Sequence, residues 1–324
     1  LTVKVLHLGE VAGVASSLCH VLNESDEWNA IHSPLLPNVT PGQALKTQRL
    51  GIISKALKVR RRAAEEIERV EPELIHIHWA RLKPFIGRAH RPVVVHAHGS
   101  DVRDSSGVFS KVVTRSMSRA DCRLVSTPDL LPHMPTDSLW LPNPVDTEFF
   151  SPRGNKPEPR TLFIFARFME VKGARELLTA CEIVQQQLPS VKIVGIAGGE
   201  FDRQAEGLGV KMLPFMDGAA IRASLEQASL VVGQQKLGIL SLSELETMAM
   251  ERPLLTKVDP TLYSDRFQYL TKYSAAELPE LIIEHFSDPS FLSAGVDKLR
   301  QEVVELHSHN SVLNQLLAIY KQLI

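Results

Sequence analysis

Apolar runs of strand length and amphipathic runs of helix length alternate along this chain, stop at a proline-crowded segment, and then begin again. That double alternation restricts the fold more than any other feature. In the first half, strands are expected at 3–8, 74–77, 93–97 and 123–126, with helices over about 14–22 and 52–70. In the second half, strands are expected at 161–166, 191–197, 210–213, 230–232 and 253–255, with helices over about 172–187, 218–227 and 242–250. Repeated strand–helix–strand units build parallel sheets covered on both faces. Between the halves, Leu141-Pro-Asn-Pro-Val-Asp-Thr-Glu-Phe-Phe-Ser-Pro152 and Gly154-Asn-Lys-Pro-Glu-Pro159 carry no periodic apolar pattern. The expected fold class is therefore α/β, two Rossmann-like doubly wound domains, 1–152 and 153–307, facing a central cleft.

The 324 residues suffice for two such cores without disulfide or metal staples. With 36 Lys and Arg against 37 Asp and Glu, the net charge of −1 gives no sign of a nucleic-acid binder. Cys19, Cys122 and Cys181 are far apart and set among apolar neighbours, which reads as reduced core thiols of a cytoplasmic protein, not a metal knuckle. The opening Leu-Thr-Val-Lys-Val-Leu-His-Leu reads as a strand, not a signal peptide, and no run approaches membrane-spanning length.

Open α/β sheets bind ligands at the carboxyl ends of their strands, and four segments with chemistry fall there. Gly9-Glu-Val-Ala-Gly13 is a small-residue turn that lets backbone approach a ligand, without the spacing of a dinucleotide fingerprint. His96-Ala-His98-Gly99-Ser-Asp101 ends an apolar strand in a polar cluster. Arg167-Phe-Met-Glu-Val-Lys172-Gly173 places two cations between a strand and a helix, where free N–H groups and the helix dipole favour an anion. Two loop cations can equally be solvated, so the pair gains meaning only beside the other segments. The fourth, from Gly233 to Met250, leads a strand through a loop to a helix carrying Glu244 and Glu246. Glu244 reads as a cap or dipole partner, whereas Glu246, deeper in the helix, can accept from paired hydroxyls such as those of a ribose.

In sequence order, His96-Ala-His98-Gly-Ser-Asp101-Val-Arg, Leu141-Pro-Asn-Pro-Val-Asp146, Phe165-Ala-Arg167 with Lys172-Gly173, Ile196-Ala-Gly-Gly199 and Ser243-Glu-Leu-Glu246-Thr-Met-Ala-Met resemble family 4 glycosyltransferases. Those are retaining enzymes of the GT-B fold, and the resemblance spans nearly the whole chain. It implies transfer of a hexose from a nucleoside-diphosphate sugar to a hydroxyl acceptor, without a cofactor or a metal ion. By that resemblance Arg167 and Lys172 hold the donor diphosphate, Glu246 the ribose, and the loop at Leu237 and Gly238 presents amides to phosphate or sugar. Leu213 and Phe215 flank the base, and the Gly13 turn completes the donor side. His98 faces the reacting sugar, and Gly99 and Asp101 shape its loop. The C-terminal helix, about 308–324, is expected to return to the first domain.

The family usually carries a second glutamate eight positions before the ribose glutamate; here that position is Gly238. Gln234, Gln235 or Lys236 could substitute. The departure keeps open a non-catalytic nucleotide-sugar binder, or a sugar-nucleotide epimerase of the same architecture. The basic run Lys55, Lys58, Arg60, Arg61, Arg62 has two readings, a solvated helix face paired with Glu65, Glu66 and Glu68, or peripheral contact with an anionic membrane.

Overall fold

The computed structural model describes residues 2–35, 49–86, 90–103, 108–264 and 266–324, with the side chains of 49–55, 108, 109 and 260 left undescribed. Lys55 of the basic run thus lies outside the described side chains. The chain forms two units, Leu1–Pro144 with His309–Ile324, and Val145–Ser308.

In the first unit the chain runs β1 (Val3–Leu8), α1 (Val14–Leu22), β2 (Trp28–Ser33), α2 (Arg49–Val70), β3 (Leu74–His78), α3 (Lys83–Ile86), β4 (Val93–Ala97), α4 (Val108–Ser118), β5 (Cys122–Val125) and β6 (Leu139–Trp140). All six strands pair in parallel in the order β2-β1-β3-β4-β5-β6. Strand alternation sends Leu6, Leu8, Ile75, Ile77, Val93 and Val95 to one face, where they pack with Val59 and Ala63 of α2 and with Val113 and Met117 of α4. The opposite face carries His7, His76, His78 and His96, all buried. On α2, Arg61 pairs with Glu65 at 3.2 Å and Arg69 with Glu66 at 2.6 Å, the one-turn pairing of an exposed helix face.

The second unit continues with β7 (Thr161–Ile164), α5 (Ala174–Gln187), β8 (Lys192–Ile196), α6 (Asp202–Gly207), β9 (Lys211–Leu213), α7 (Gly218–Gln227), β10 (Leu230–Val232), α8 (Leu242–Ala249), β11 (Leu254–Leu255), α9 (Leu278–Ser287) and α10 (Val296–His307). Its sheet is again parallel, in the order β11-β10-β7-β8-β9. Leu162, Ile164, Ile193 and Val232 form its core with Leu177, Cys181 and Val184 of α5 and Leu278 and Ile282 of α9. The order reverses between β7 and β10, and the carboxyl ends of strands at such a switch point are where open sheets take ligands.

The final helix, α11 (His309–Tyr320), belongs to the first unit, where it packs on α1 and buries Tyr320. Among the described residues no helix is long and apolar enough to cross a membrane.

Candidate functional site

At the β7 side of the switch point, Arg167 leaves the sheet between the buried Ala166 and Phe168. Its side chain lies across Gly198, where an added Cβ would stand 3.6 Å from Nε. No described residue makes a hydrogen bond or ion pair with this guanidinium, although acidic side chains populate the neighbouring turn. Gly199 is what lets that turn approach, since a Cβ there would lie 2.5 Å from the Phe168 carbonyl oxygen.

Lys172 does not start the helix as the sequence reading expected. A 3-10 turn covers Glu170–Lys172, Gly173 then takes φ +83°, and α5 begins at Ala174. The left-handed turn suits glycine because a side chain there is strained, and a Cβ would meet Gln235 at 2.8 Å. The close approach is used: the Gln235 N–H donates to the Lys172 carbonyl at 2.9 Å, locking the loop after β7 to the loop after β10.

The second loop is organised by Gln234, fully buried. Its Oε1 accepts from the Lys236 N–H at 2.9 Å and the Leu237 N–H at 2.6 Å, while Nε2 donates to the carbonyls of Ile239 and Lys257 at 3.0 and 2.5 Å. Gln235 is equally committed, donating to the Gly233 carbonyl and accepting from the Tyr273 hydroxyl at 2.9 Å. Lys236 pairs with Glu170 at 3.1 Å. All three side chains are thus engaged by other protein groups. The Leu237 amide is also taken, contrary to its expected role as a ligand donor; the Gly238 and Ile239 amides donate to no described residue. Gly238 itself sits at φ +70°.

Helix α8 starts with a capping box, Ser241 with Glu244, and the buried Glu244 also accepts from the Gln234 N–H at 2.9 Å. The carboxyl of Glu246, one step deeper, makes no hydrogen bond to a described residue. Burial, and secondarily the nearby Glu244 charge, pushes its carboxyl up to about 8. A shielded carboxyl without protein donors is suited to accept from ligand hydroxyls. In the ligand-free protein its raised pKa favours the fold fully below about pH 4.5, and the benefit is lost as pH rises through about 8. Between about pH 5 and about pH 8 the wild type should therefore lose roughly 3 kcal/mol that Glu246→Gln does not lose. Denaturant midpoints across this range check it; parallel pH profiles for the two proteins would show that Glu246 is not shielded.

Leu213 ends β9 half-buried, and Phe215 beyond it is 89% exposed, an unusual position for a large apolar ring.

In the first unit, Asp101 is fully buried and accepts from the Ala80 N–H at 2.7 Å and the His98 N–H at 3.0 Å, fastening the loop after β4 to the turn after β3. Gly99 has φ +97°, and a Cβ there would collide with the Arg103 guanidinium. That guanidinium is held by Asp129 in a bidentate pair with both distances 2.8 Å. Burial pushes the His98 imidazole down to about 3, so it is neutral at ordinary pH. Gly13, at φ +82°, opens α1, but the Glu10 carboxylate already accepts from the Ala15 and Ser16 amides at 3.2 and 3.0 Å. The anion position at the start of α1 is filled by the chain itself.

No protein-family model and no curated protein sequence matches the chain. Solved structures do. Sucrose-phosphate synthase of Thermosynechococcus elongatus superposes with TM-score 0.75 at 15% identity over 99% of both chains. HepE of Anabaena, solved with UDP-glucose, gives TM-score 0.74 at 15% identity over 99% of this chain and 100% of its own. The N-terminal domain of Candida albicans trehalose-6-phosphate phosphatase gives TM-score 0.72 at 13% identity, over 100% of this chain and 98% of its own. At such identity the likeness is one of fold, and that fold is GT-B, two Rossmann-like units.

Proposed function

We propose that the protein is a retaining, metal-independent transferase that moves a hexose from a nucleoside-diphosphate sugar to a hydroxyl of a saccharide, lipid-linked or small-molecule acceptor. The observation carrying this reading is Arg167, a guanidinium without a partner among the described residues, at the switch point of the second sheet. Such a cation is suited to a diphosphate, whose oxygens its planar fork can grip in pairs. Lys172 adds a second positive charge on the loop that joins it, and the Gly238 and Ile239 amides add neutral donors. Glu246 takes the ribose hydroxyls, and the exposed Phe215 covers the base. The UDP-glucose bound by a neighbour of the same fold supports a uridine nucleotide as the first donor to try.

When the bond from the anomeric carbon to the diphosphate breaks, negative charge gathers on the departing oxygen. Arg167, Lys172 and the loop amides stabilise that charge in place, which lowers the barrier without an ion. The acceptor hydroxyl attacks the same face, and its proton passes to the leaving phosphate, so the anomeric configuration is kept. No pair of carboxylates is needed. His98, neutral through burial, serves as a hydrogen-bonding partner for the sugar rather than as a base.

A second reading is favoured by Gly238. With Gln234, Gln235 and Lys236 all committed elsewhere, the sugar loses a carboxylate contact, as a binder without transfer activity would. Proton NMR of products from a UDP-glucose incubation with an acceptor panel separates the two. Transfer gives an α-linked product and free nucleotide, undiminished when added divalent ions are withheld. A β-linked product contradicts retention, and bound but unconsumed donor supports the binder.

A further inference from the structure

Five imidazoles occupy one face of the first sheet. His7 on β1 stands in register with His76 on β3, and His78 with His96 on β4, while two-residue spacing puts His76 with His78 and His96 with His98 on the same side. The rings of His76 and His78 stack at 4.3 Å, and those of His7 and His76 lie 4.8 Å apart. His7, His76, His78 and His96 are no more than 1% exposed. Apolar side chains would fill this face at lower cost, because each buried ring nitrogen needs a partner.

For three of these residues the partners follow a pattern. The outer nitrogens are engaged: His7 Nε2 and His76 Nδ1 both meet the Tyr320 hydroxyl, at 3.3 and 2.6 Å, and His78 Nδ1 meets His98 Nε2 at 3.0 Å. The remaining nitrogens are His7 Nδ1 and His78 Nε2, which share a hydrogen bond of 3.0 Å that a bound ion would replace, and His76 Nε2, which is buried with no hydrogen-bond partner among the described residues. One nitrogen from each ring lies within 4.8 Å of those from the other two.

We propose that His7, His76 and His78 form a three-imidazole site for a divalent transition ion of the zinc class. Neutral imidazoles that bind such an ion donate their other N–H to a fixed acceptor, and here a hydroxyl with two lone pairs serves two ligands while an imidazole serves the third. Nitrogens bound tetrahedrally at about 2.0–2.1 Å from zinc lie roughly 3.3 Å apart, inside the observed spread. An all-nitrogen set disfavours magnesium and calcium, which take oxygen ligands. Two residues apart on one strand, plus a third on the adjacent strand, is the placement that turns three side chains toward one point. The three histidines belong to the first unit, and the role proposed for the ion is structural, not one in the transfer chemistry. Its reach is through His78, whose outer N–H donates to His98 Nε2 and leaves His98 Nδ1 as the protonated nitrogen.

The test uses the purified full chain, stripped with a chelator, reloaded with zinc alone, desalted, and measured by elemental analysis. One ion per chain is expected. His76→Gln and His78→Gln should each lose it, and Tyr320→Phe, which keeps the ring that fills the core, should weaken binding roughly tenfold or more. His133→Gln, at an exposed position, should leave uptake unchanged. Should the histidine variants fail to fold, zinc-edge absorption of the reloaded wild type decides. Imidazole nitrogens at about 2.0–2.1 Å are expected. An oxygen-only shell, no retained zinc, or equal retention by folded His76→Gln and His78→Gln would overturn the proposal.

Discussion

Replacing Arg167 by alanine should lower nucleotide release from the accepted donor at least roughly a hundredfold, with the fold intact. The guanidinium has no hydrogen-bond or ion-pair partner among the described residues, so its removal leaves none of their polar groups unsatisfied. On the proposed function, what disappears is the positive charge that would face the departing diphosphate. Fixed charge in a water-poor site is worth about 3 kcal/mol or more at the transition state, which sets the hundredfold figure. Arg167→Lys should recover only part of the loss, since a point charge cannot reproduce the two-oxygen grip. Steady-state release of nucleotide, alongside far-UV circular dichroism, is the measurement. Full activity in Arg167→Ala would remove this residue from the site.

Gln234→Leu should strongly destabilise the second unit. The side chains are similar in size, but the substitution removes the partner of two amides and two carbonyls in a loop that is only partly exposed. An unsatisfied buried group costs about 1–3 kcal/mol, and with the partly exposed groups reaching water the four together leave a loss of roughly 3 kcal/mol. For a unit of this size that is a drop in melting temperature of roughly 6–12 °C. The Gly238 and Ile239 amides would lose their placement as well, so nucleotide affinity should fall together with stability. Calorimetric melting of both proteins, with and without UDP, checks the pair of effects. A variant with the wild-type melting temperature would show that the loop is not held from within.

Central elements were readable from sequence because strands buried on both faces are nearly continuous apolar runs, as Thr161–Ile164 and Val93–Ala97 are. The edge strands of the first sheet were not. Trp28–Ser33 mixes polar and apolar residues and Leu139–Trp140 is only two residues long, so each is a strand because its neighbour pairs with it. Helix α5 was read from Lys172, whereas Gly173 at φ +83° delays it to Ala174, a backbone effect that periodicity does not carry.

In the candidate site, the types and order of residues were legible, and their hydrogen-bond commitments were not. Gln234 read as a stand-in sugar ligand and is a buried loop organiser; Glu244 read as a cap and is one. Histidines 7, 76 and 78 drew no notice, yet Ile75-His76-Ile77-His78 and Val95-His96-Ala97-His98 both alternate with period two. Histidine at the alternate positions of a strand otherwise built from Ile and Val was the available signal.

Titration calorimetry of the full chain with UDP, GDP and ADP and their glucose conjugates is the most direct measurement of a nucleotide-sugar donor site. One of the three nucleotides should bind at one site per chain, with Arg167→Ala weakening it at least roughly tenfold, as loss of a charged diphosphate contact requires. Absence of binding by all six ligands to the folded wild type would contradict the donor site outright.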